Sequence, residues 1–527
     1  MIFNPPTLTI DAVGKLSNIP DVLVADVMQA FTMPNPKHAE AQKRNAFAAQ
    51  NIPRFLKFFA LEKDYISFPR GATRVVFDLC KKRGVKLVLK DNRVSRPLGR
   101  KISFTGTLRD YQQESSDAVL ANDFGVVEAG TGAGKTVIAC HTIAEKSVYT
   151  VICVPSKELM YQWRERLCSF TTLEEKDIGF LGDGVCDVKP ITVAIINTLA
   201  KYTDELRNYF EYIVVDEAHR VAAEMYIGGP LTSLATKSMT GLSATLMRGD
   251  GLIDLLYWFI GRVLHKVDPG NLRKIKAIIE PFVWQKETKF FSNKAEKSYT
   301  GMISDMVQDN ARNLVIAGEV IADARWRAGE GGGLILVVSD RVAHLKILYE
   351  LVAGQLGEDK VVLLTGQTGS NERKKIVEDL EKGVTSVLIS TLSLISEGFD
   401  CPSLSSCHFA SPITDRKRVI QTAGRVLRPE ENKTALIVDY VDRRIGMLDY
   451  RAKQRLEIFK QDIFARVVSV PPWRKEEKPE ERIQHLSQVP TCVKSQSETP
   501  KRIQTQAPYQ KQRSLFDLPE KQPSRTY

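Results

Sequence analysis

No run of apolar residues in this chain approaches the roughly 18 that a membrane-crossing helix needs, so no spanning helix is expected. The first residues mix acidic and polar side chains with apolar ones, which is not the pattern of a secretory leader. The eight cysteines are scattered without a C-x-x-C pair. Cys401 and Cys407 are the closest two, and no histidine completes a zinc spacing. A metal cluster and a disulfide framework are therefore not expected, and the thiols read as reduced ones in a cytosolic protein. Nor does any carboxylate–lysine constellation suggest a nuclease.

What is present begins with size and charge. A chain of 527 residues has room for three or four domains with ample cores. Its net charge of +11 is unevenly placed: residues 1 to 107 hold 18 basic side chains against 8 acidic ones, an excess of ten. Lys81, Lys82, Arg83, Lys86, Lys90, Arg93, Arg96, Arg100 and Lys101 form its densest part. A basic excess confined to one domain points to a polyanion such as nucleic acid. The periodicity there suggests a small α/β domain, with helices from Asp21 to Phe31 and from Val75, and a strand over Val85 to Leu89. Phe55, Phe58, Phe59, Tyr65 and Phe68 read as core rather than as base-stacking groups.

Residues 126 to 138 read Val-Val-Glu-Ala-Gly-Thr-Gly-Ala-Gly-Lys-Thr-Val-Ile: an apolar strand, a glycine-rich turn, then a helix. Gly130, Thr131, Gly132, Ala133 and Gly134 let backbone N–H groups close around phosphate oxygens, and the helix N-terminus adds positive potential. Lys135 can reach the β- and γ-phosphates, and the Thr136 hydroxyl suits Mg²⁺. Ala129 holds the place where the usual pattern has glycine. About twenty residues earlier, Leu108-Arg109-Asp110-Tyr111-Gln112 opens a helix. Arg109 and Gln112 are placed there to reach an adenine edge, the Gln112 amide offering both donor and acceptor.

From there short β-rich runs alternate with amphipathic helices, the signature of a parallel sheet. Val148 to Val154 leads to Ser156-Lys157, Ile191 to Ile196 to Asn197-Thr198, and the buried run Tyr212 to Val215 to Asp216-Glu217-Ala218-His219. Groups at strand carboxyl ends meet in the crevice where ligands bind. Asp216 suits hydrated Mg²⁺, and Glu217 suits orienting and deprotonating a water. Ser243-Ala244-Thr245 follows another strand, where Ser243 and Thr245 could bond to Asp216 or His219. A second alternating unit runs from residue 334, its strands ending at Ser339, at Thr365-Gly366 and at Thr391 before Glu397-Gly398-Phe399-Asp400. Ile420 to Arg428 reads as a helix with Gln421, Arg425 and Arg428 on one face, a phosphate clamp rather than a core. A further helix is expected near 451 to 468, carrying Leu456, Phe459 and Ile463.

In this order the motifs resemble those of superfamily 2 helicases with the DEAH box, in which Ala at the first loop position is common. The Leu108–Gln112 segment, Ser243-Ala244-Thr245-x-x-Arg248-x-Asp250-Gly251 and Glu397-Gly398-Phe399-Asp400-x-Pro402 look most like the XPB branch, which includes phage helicases of the UvsW type. The resemblance covers roughly residues 105 to 445. It implies ATP and Mg²⁺ between two RecA-like parallel-sheet domains in tandem, with Arg425 and Arg428 as arginine fingers, Gln421 beside them, and Gly398 and Asp400 at the nucleotide. It also implies a strand-tracking surface of Ser156, Lys157, Asn197, Thr198, Ser339, Thr365, Gly366 and Thr391. The organisation expected is a basic N-terminal domain over 1–104, RecA-like domains over 105–265 and 266–470, and a tail over 471–527.

The tail is rich in Pro, Gln, Ser, Lys and Glu and reads as disordered. Within it Gln512-Arg513-Ser514-Leu515-Phe516 resembles the short peptide by which bacterial proteins dock on the replicative sliding clamp, Gln512, Ser514, Leu515 and Phe516 being the matching positions. Three functions are compatible with the whole: a DNA helicase acting on forked or branched intermediates, a double-stranded DNA translocase serving a nuclease complex, and a DNA adaptor with a dead ATPase. Intact Lys135, Asp216, Glu217 and Arg425 argue against the last. RNA remains open as substrate, though the XPB-like details favour DNA. The setting expected is the cytoplasm of a bacterium or a phage-infected cell.

Overall fold

Apolar runs of four to six residues separated by amphipathic helices cannot pair as hairpins, so from residue 124 onward crossovers bring the strands side by side, the hairpin of Ile178–Gly182 with Val185–Asp187 excepted. The computed structural model describes residues 5–44, 49–130, 132–221, 229–244, 253–268, 270, 272, 279–329, 332–396, 403–428 and 433–474. Thr131, Thr245, Arg248, Asp250, Gly251, Glu397, Gly398, Phe399, Asp400, Pro402 and the tail positions Gln512, Ser514, Leu515 and Phe516 lie outside the described residues.

The first large sheet reads across space as Val185–Asp187, Ile178–Gly182, Ile191–Ile195, Thr150–Val154, Tyr212–Val215, Ser238–Ser243, Phe124–Glu128 and Val263–Lys266. Every neighbouring pair is parallel except the first. Its central strands Tyr212–Val215 and Ser238–Ser243 are buried along their whole length, as strands covered on both faces must be. The second reads Val361–Leu364, Val387–Thr391, Leu334–Ser339, Leu404–Phe409, Leu436–Val441, Phe282–Glu287 and Arg466–Val467, parallel throughout. These are two α/β domains of RecA-like type.

The N-terminal region is the expected small α/β fold. Thr7–Ile10 pairs antiparallel with Gly14–Ser17 and parallel with Val88–Asp91, and Gly14–Ser17 continues to Tyr65–Phe68. Helices Asp21–Ala30 and Thr73–Lys82 bring Leu23, Val27, Val76 and Cys80 onto Leu8, Leu16, Ile66 and Phe68. The strand expected over Val85 to Leu89 begins three residues later. Gly84 takes a left-handed φ of 68°, and the Val85 N–H caps the preceding helix on the Cys80 carbonyl at 2.9 Å, so Val85 closes a helix instead of opening a strand.

Two other boundaries differ. The helix expected over 420–428 runs from Arg416 to Ala423, its start fixed by Asp415 accepting from the Arg418 N–H at 2.7 Å, and then tightens to a 3₁₀ turn over Gly424–Leu427. Arg425 and Arg428 therefore do not continue the α-helical face of Gln421. The helix expected near 451–468 is Gly446–Gln461, and Phe464 at φ 56° turns the chain into the edge strand Arg466–Val467.

The N-terminal domain is fastened to the first large sheet. Phe31 and Phe58 pack on Trp258 with ring centroids 5.4 and 5.6 Å apart, and Phe31 stacks on Phe68 at 5.5 Å. Phe58 and Phe68 are thus core, as expected, whereas Phe55 is exposed. Buried Arg70 donates to the Leu234 carbonyl at 2.6 Å, the Thr236 carbonyl at 3.2 Å and the Thr236 hydroxyl at 2.8 Å. Burial, with Arg93 nearby, pulls its guanidinium down to about 9. Much of the basic run serves the same joint. Arg93 pairs with Asp91 and Asp123, Arg96 lies between the rings of Tyr149 and Tyr209 at 4.5 and 4.7 Å, and Arg100 pairs with Asp177. Lys81, Lys82, Lys86, Lys90 and Lys101 remain exposed.

Candidate active site

Three strand ends bring the first half of the site together. Phe124–Glu128 leads into the glycine loop and Tyr212–Val215 into Asp216-Glu217, while Ser238–Ser243 lies between them. The loop is tied to that middle strand, the Ala129 N–H donating to the Ser243 carbonyl at 2.9 Å. Gly132 and Gly134 hold φ of 84° and 77°, conformations that side chains with a Cβ rarely adopt. Gly134 opens the helix Lys135–Lys146, whose Ile138, Ala139 and Ile143 pack into the core. The Lys135 ammonium lies across the loop and donates to the Ala129 carbonyl at 3.1 Å.

The Leu108–Gln112 segment supports the loop from beneath. Tyr111 Oη and Gln112 Nε2 both donate to the Ala133 carbonyl at 3.1 Å, and Gln112 Oε1 accepts from the Arg109 N–H at 3.0 Å. A Cβ at Gly134 would stand 2.4 Å from Gln112 Nε2, so this glycine also makes room for the glutamine. Both ends of the Gln112 amide therefore hold the loop and its own helix start, leaving one N–H and one lone pair. The side chain of Arg109 reaches the Tyr111 hydroxyl at 3.3 Å.

Asp216 is 6% exposed. Its Oδ2 accepts from Trp163 Nε1 at 2.9 Å and its Oδ1 from the Glu217 N–H at 2.8 Å. Burial, and then the neighbouring Glu217 carboxylate, push the Asp216 carboxyl up to about 6, against the opposing pull of the Trp163 hydrogen bond and of Lys135. Glu217 itself sits at φ 48°, a backbone conformation that costs a non-glycine residue roughly 1–3 kcal/mol and tends to persist where function holds it. Its Oε2 lies 3.5 Å from His219 Nε2, and His219 Nδ1 lies 2.7 Å from Ser243 Oγ. The imidazole is thus hydrogen-bonded to the hydroxyl of the third strand end, with the acid of the second close by.

The other half comes from the second sheet's domain. Burial pulls the Arg425 guanidinium below its ordinary value, and the Glu217 carboxylate pushes it back up. Burial likewise lowers Arg428, with the cation of Arg166 beside it. The 3₁₀ turn carries Arg425 and ends at Arg428, and the charges of Glu217 and Arg166 in the first domain act on the two arginines respectively. Gln421 is buried in the preceding helix. An ion pair joins the domains: Arg373 donates to Glu158 at 3.0 Å while also holding the Thr368 and Gly366 carbonyls at 3.0 and 3.4 Å. Glu158, Arg373, Trp163 and Tyr111 were not singled out from sequence. Only Tyr111, inside a recognised segment, carried a signal there.

The strand-surface residues divide. Ser156 caps the helix Lys157–Phe170 by accepting from the Leu159 N–H, Lys157 pairs with Asp183 at 3.6 Å, and Asn197 is exposed with Thr198 beside it in the short helix Ile196–Leu199. Gly366 is exposed and Thr391 half-buried. Thr365 is largely buried, its hydroxyl accepting from the Gln367 N–H. Ser339 faces inward: it is fully buried against His344 at 3.0 Å, so its side chain is no surface contact. A separate cavity of about 460 Å³, lined in part by Leu98, Tyr149, Leu173 and Ile191, lies at the opposite, amino-terminal end of the strands. Its cations Arg100, Lys176 and Lys189 are paired with Asp177, Glu174 and Asp187.

Among the described residues no cluster of three acidic, histidine or cysteine side chains could hold a metal alone. The Thr136 hydroxyl and Asp216 carboxylate suit Mg²⁺, which keeps waters and shares its shell with phosphate oxygens. The doubled negative charge at Asp216-Glu217 favours a cation there. Because Asp216 must lose its proton to ligate the ion, the Mg²⁺ concentration for half-maximal ATP hydrolysis should rise as pH falls from 7 through about 6. A Mg²⁺ requirement that stays flat between pH 5.5 and 7.5 would separate Asp216 from metal binding.

Residues 105–248 match the family described as type III restriction enzyme, res subunit, and residues 319–430 match the helicase conserved C-terminal domain. The chain is 26% identical over 379 residues to the DNA 3'-5' translocase XPB2 of Sulfurisphaera tokodaii, which spans 66% of this chain and 84% of that protein. It is 25% identical over 401 residues to the probable helicase D10 of Escherichia phage T5, spanning 75% and 84%. The structure of S. cerevisiae Dbp5 bound to RNA and ADP BeF3 shares the fold, with a TM-score of 0.50 over 69% of this chain and 91% of that one at 16% identity. Among the described residues no helix is long and apolar enough to cross a membrane. With two helicase domains in order, and a phosphate loop and an acidic strand end brought together in the first, the chain is a superfamily 2 helicase, an enzyme that works with ATP and Mg²⁺.

Proposed function

We propose that the protein is an ATP-dependent DNA helicase of the XPB-like, DEAH-box type. In this reading it translocates along DNA and remodels forked or branched intermediates of replication, repair or recombination. The observation that carries it is the order of the two helicase domains with the glycine loop and Asp216-Glu217 at nearby strand ends of the first, with the Glu217 carboxylate close enough to raise the Arg425 guanidinium of the second. Opposed charges on separate sheets give ATP a reason to close the cleft and product release a reason to open it. The loop backbone from Gly130 to Gly134 and the Lys135 ammonium hold the phosphates. Glu217 orients the attacking water and takes its proton, and Arg425 and Arg428 stabilise charge on the transferred phosphoryl group. Thr136 and Asp216 would hold Mg²⁺, which would supply charge neutralisation at the phosphates. His219 and Ser243 carry the nucleotide state into the middle strand.

The DNA substrate is favoured by the relative named a DNA 3'-5' translocase and by the exposed lysines of the N-terminal domain. Residues 1–104 form the substrate-selecting part, 105–265 and 266–470 the motor, and 471–527 a tether. Within that segment the peptide Gln512–Phe516 docks on a bacterial sliding clamp, Leu515 and Phe516 being the two apolar anchors for a groove. A double-stranded DNA translocase serving a nuclease complex is the second reading, supported by the match to restriction res subunits.

Steady-state ATP hydrolysis with single-stranded DNA, duplex, fork, four-way junction and RNA, each followed by strand displacement, separates these readings. Branched DNA should stimulate most and be unwound, and serine at Lys81, Lys82, Lys86 and Lys90 should weaken fork affinity about tenfold and flatten its salt dependence. Duplex-stimulated hydrolysis without displacement would establish the translocase, and RNA-selective stimulation would reject DNA as the substrate. Removing residues 510–518 should abolish binding to a bacterial clamp and leave turnover unchanged; full-length protein that never binds the clamp would remove that partner.

A further inference from the structure

We propose that Trp163 is a positioning residue for the Asp216 carboxylate, and that through it the helix Lys157–Phe170 links the nucleic-acid face to the metal site. The inference rests on the reading of Asp216 as a Mg²⁺ ligand. Trp163 is 1% exposed, and its Nε1 donates to Asp216 Oδ2 at 2.9 Å while the Glu217 N–H takes Oδ1 at 2.8 Å. One donor on each oxygen fixes the rotation of the carboxylate and leaves a lone pair on each atom for a ligand. An indole that served only to fill the core would need no more than some acceptor for its N–H. This one donates to the carboxylate read as the Mg²⁺ ligand.

The same helix begins at the strand face. Ser156 caps it, Lys157 opens it, and Glu158 in its first turn holds Arg373 of the other domain at 3.0 Å. Met160 and Leu167 seat it in the core on either side of Trp163. A displacement of its first turn by a bound strand, or by Arg373 when the domains move, is therefore carried by a rigid element to the group that orients Asp216.

The test uses the full chain at pH 8, measuring the Mg²⁺ concentration for half-maximal ATP hydrolysis, kcat at saturating Mg²⁺, and the melting temperature, with and without single-stranded DNA. Trp163→Phe should raise the half-maximal Mg²⁺ concentration about tenfold, the range expected when a partner of a metal ligand is lost, with kcat at saturation within about threefold. A benzothienylalanine at 163, which keeps the bicyclic shape and lacks the N–H, should give the same shift without loss of stability. In either variant DNA should no longer lower the Mg²⁺ requirement. Adding either change to Asp216→Asn should shift Mg²⁺ dependence no further. A benzothienylalanine variant that behaves as wild type, or a Phe variant that loses kcat and melting temperature together with no Mg²⁺ shift, would overturn the role of Trp163 alone. Unchanged Mg²⁺ dependence in Asp216→Asn would overturn the metal assignment beneath it.

Discussion

Two carboxylates in sequence at the end of a buried strand are an electrostatic liability that the rest of this molecule is arranged around. Asp216 and Glu217 raise each other's energy in a poorly solvated place, and the upward shift of Asp216 registers it. In low dielectric such a pair persists only with cations nearby. One of them, Lys135, comes from the neighbouring loop in the same domain. Another, Arg425, comes from the second domain. Catalytic acids and interdomain geometry are thus aspects of one charge balance. A nucleotide carrying its own negative charge enters that balance and tightens the demand for cations from both sides.

The N-terminal domain shows how a charge pattern can be misread in part. Its basic excess suggests a polyanion surface, yet Arg70, Arg93, Arg96 and Arg100 are taken up in fastening it to the first large sheet. Arginine suits that work, because a planar fork can satisfy several carbonyls or lie between two rings at once. The lysines, lacking that geometry, are left on the surface. The domain shares a core contact with the first large sheet's domain through Trp258.

Much of this was legible from local pattern. The glycine loop, the acidic pair after an apolar strand and the alternation of strand and helix each depend on residues close in sequence, and the parallel sheets follow from them. What was not legible depends on partners distant in the chain. Trp163 reads as one apolar helix position among several until Asp216 is placed beside it. Ser339 reads as a strand-end hydroxyl until His344 and Asn313 enclose it in a buried relay, in which burial pulls the His344 imidazole down to about 3. Gln112 reads as a base-pairing amide until Ala133 and Gly134 show what it supports. The helix bearing Gln421 ends at Ala423 although its apolar spacing continues. A tighter turn over Gly424 sets the directions of Arg425 and Arg428.

The central claim is that the catalytic site is completed across the cleft by Arg425. The direct measurement is nucleotide affinity and single-turnover hydrolysis for Arg425→Ala, side by side with wild type. The account predicts ATP binding within about threefold of wild type and turnover lowered by about a thousandfold, the scale attached to an arginine that acts on the transition state. Turnover near normal, or affinity lost in parallel with turnover, would contradict it.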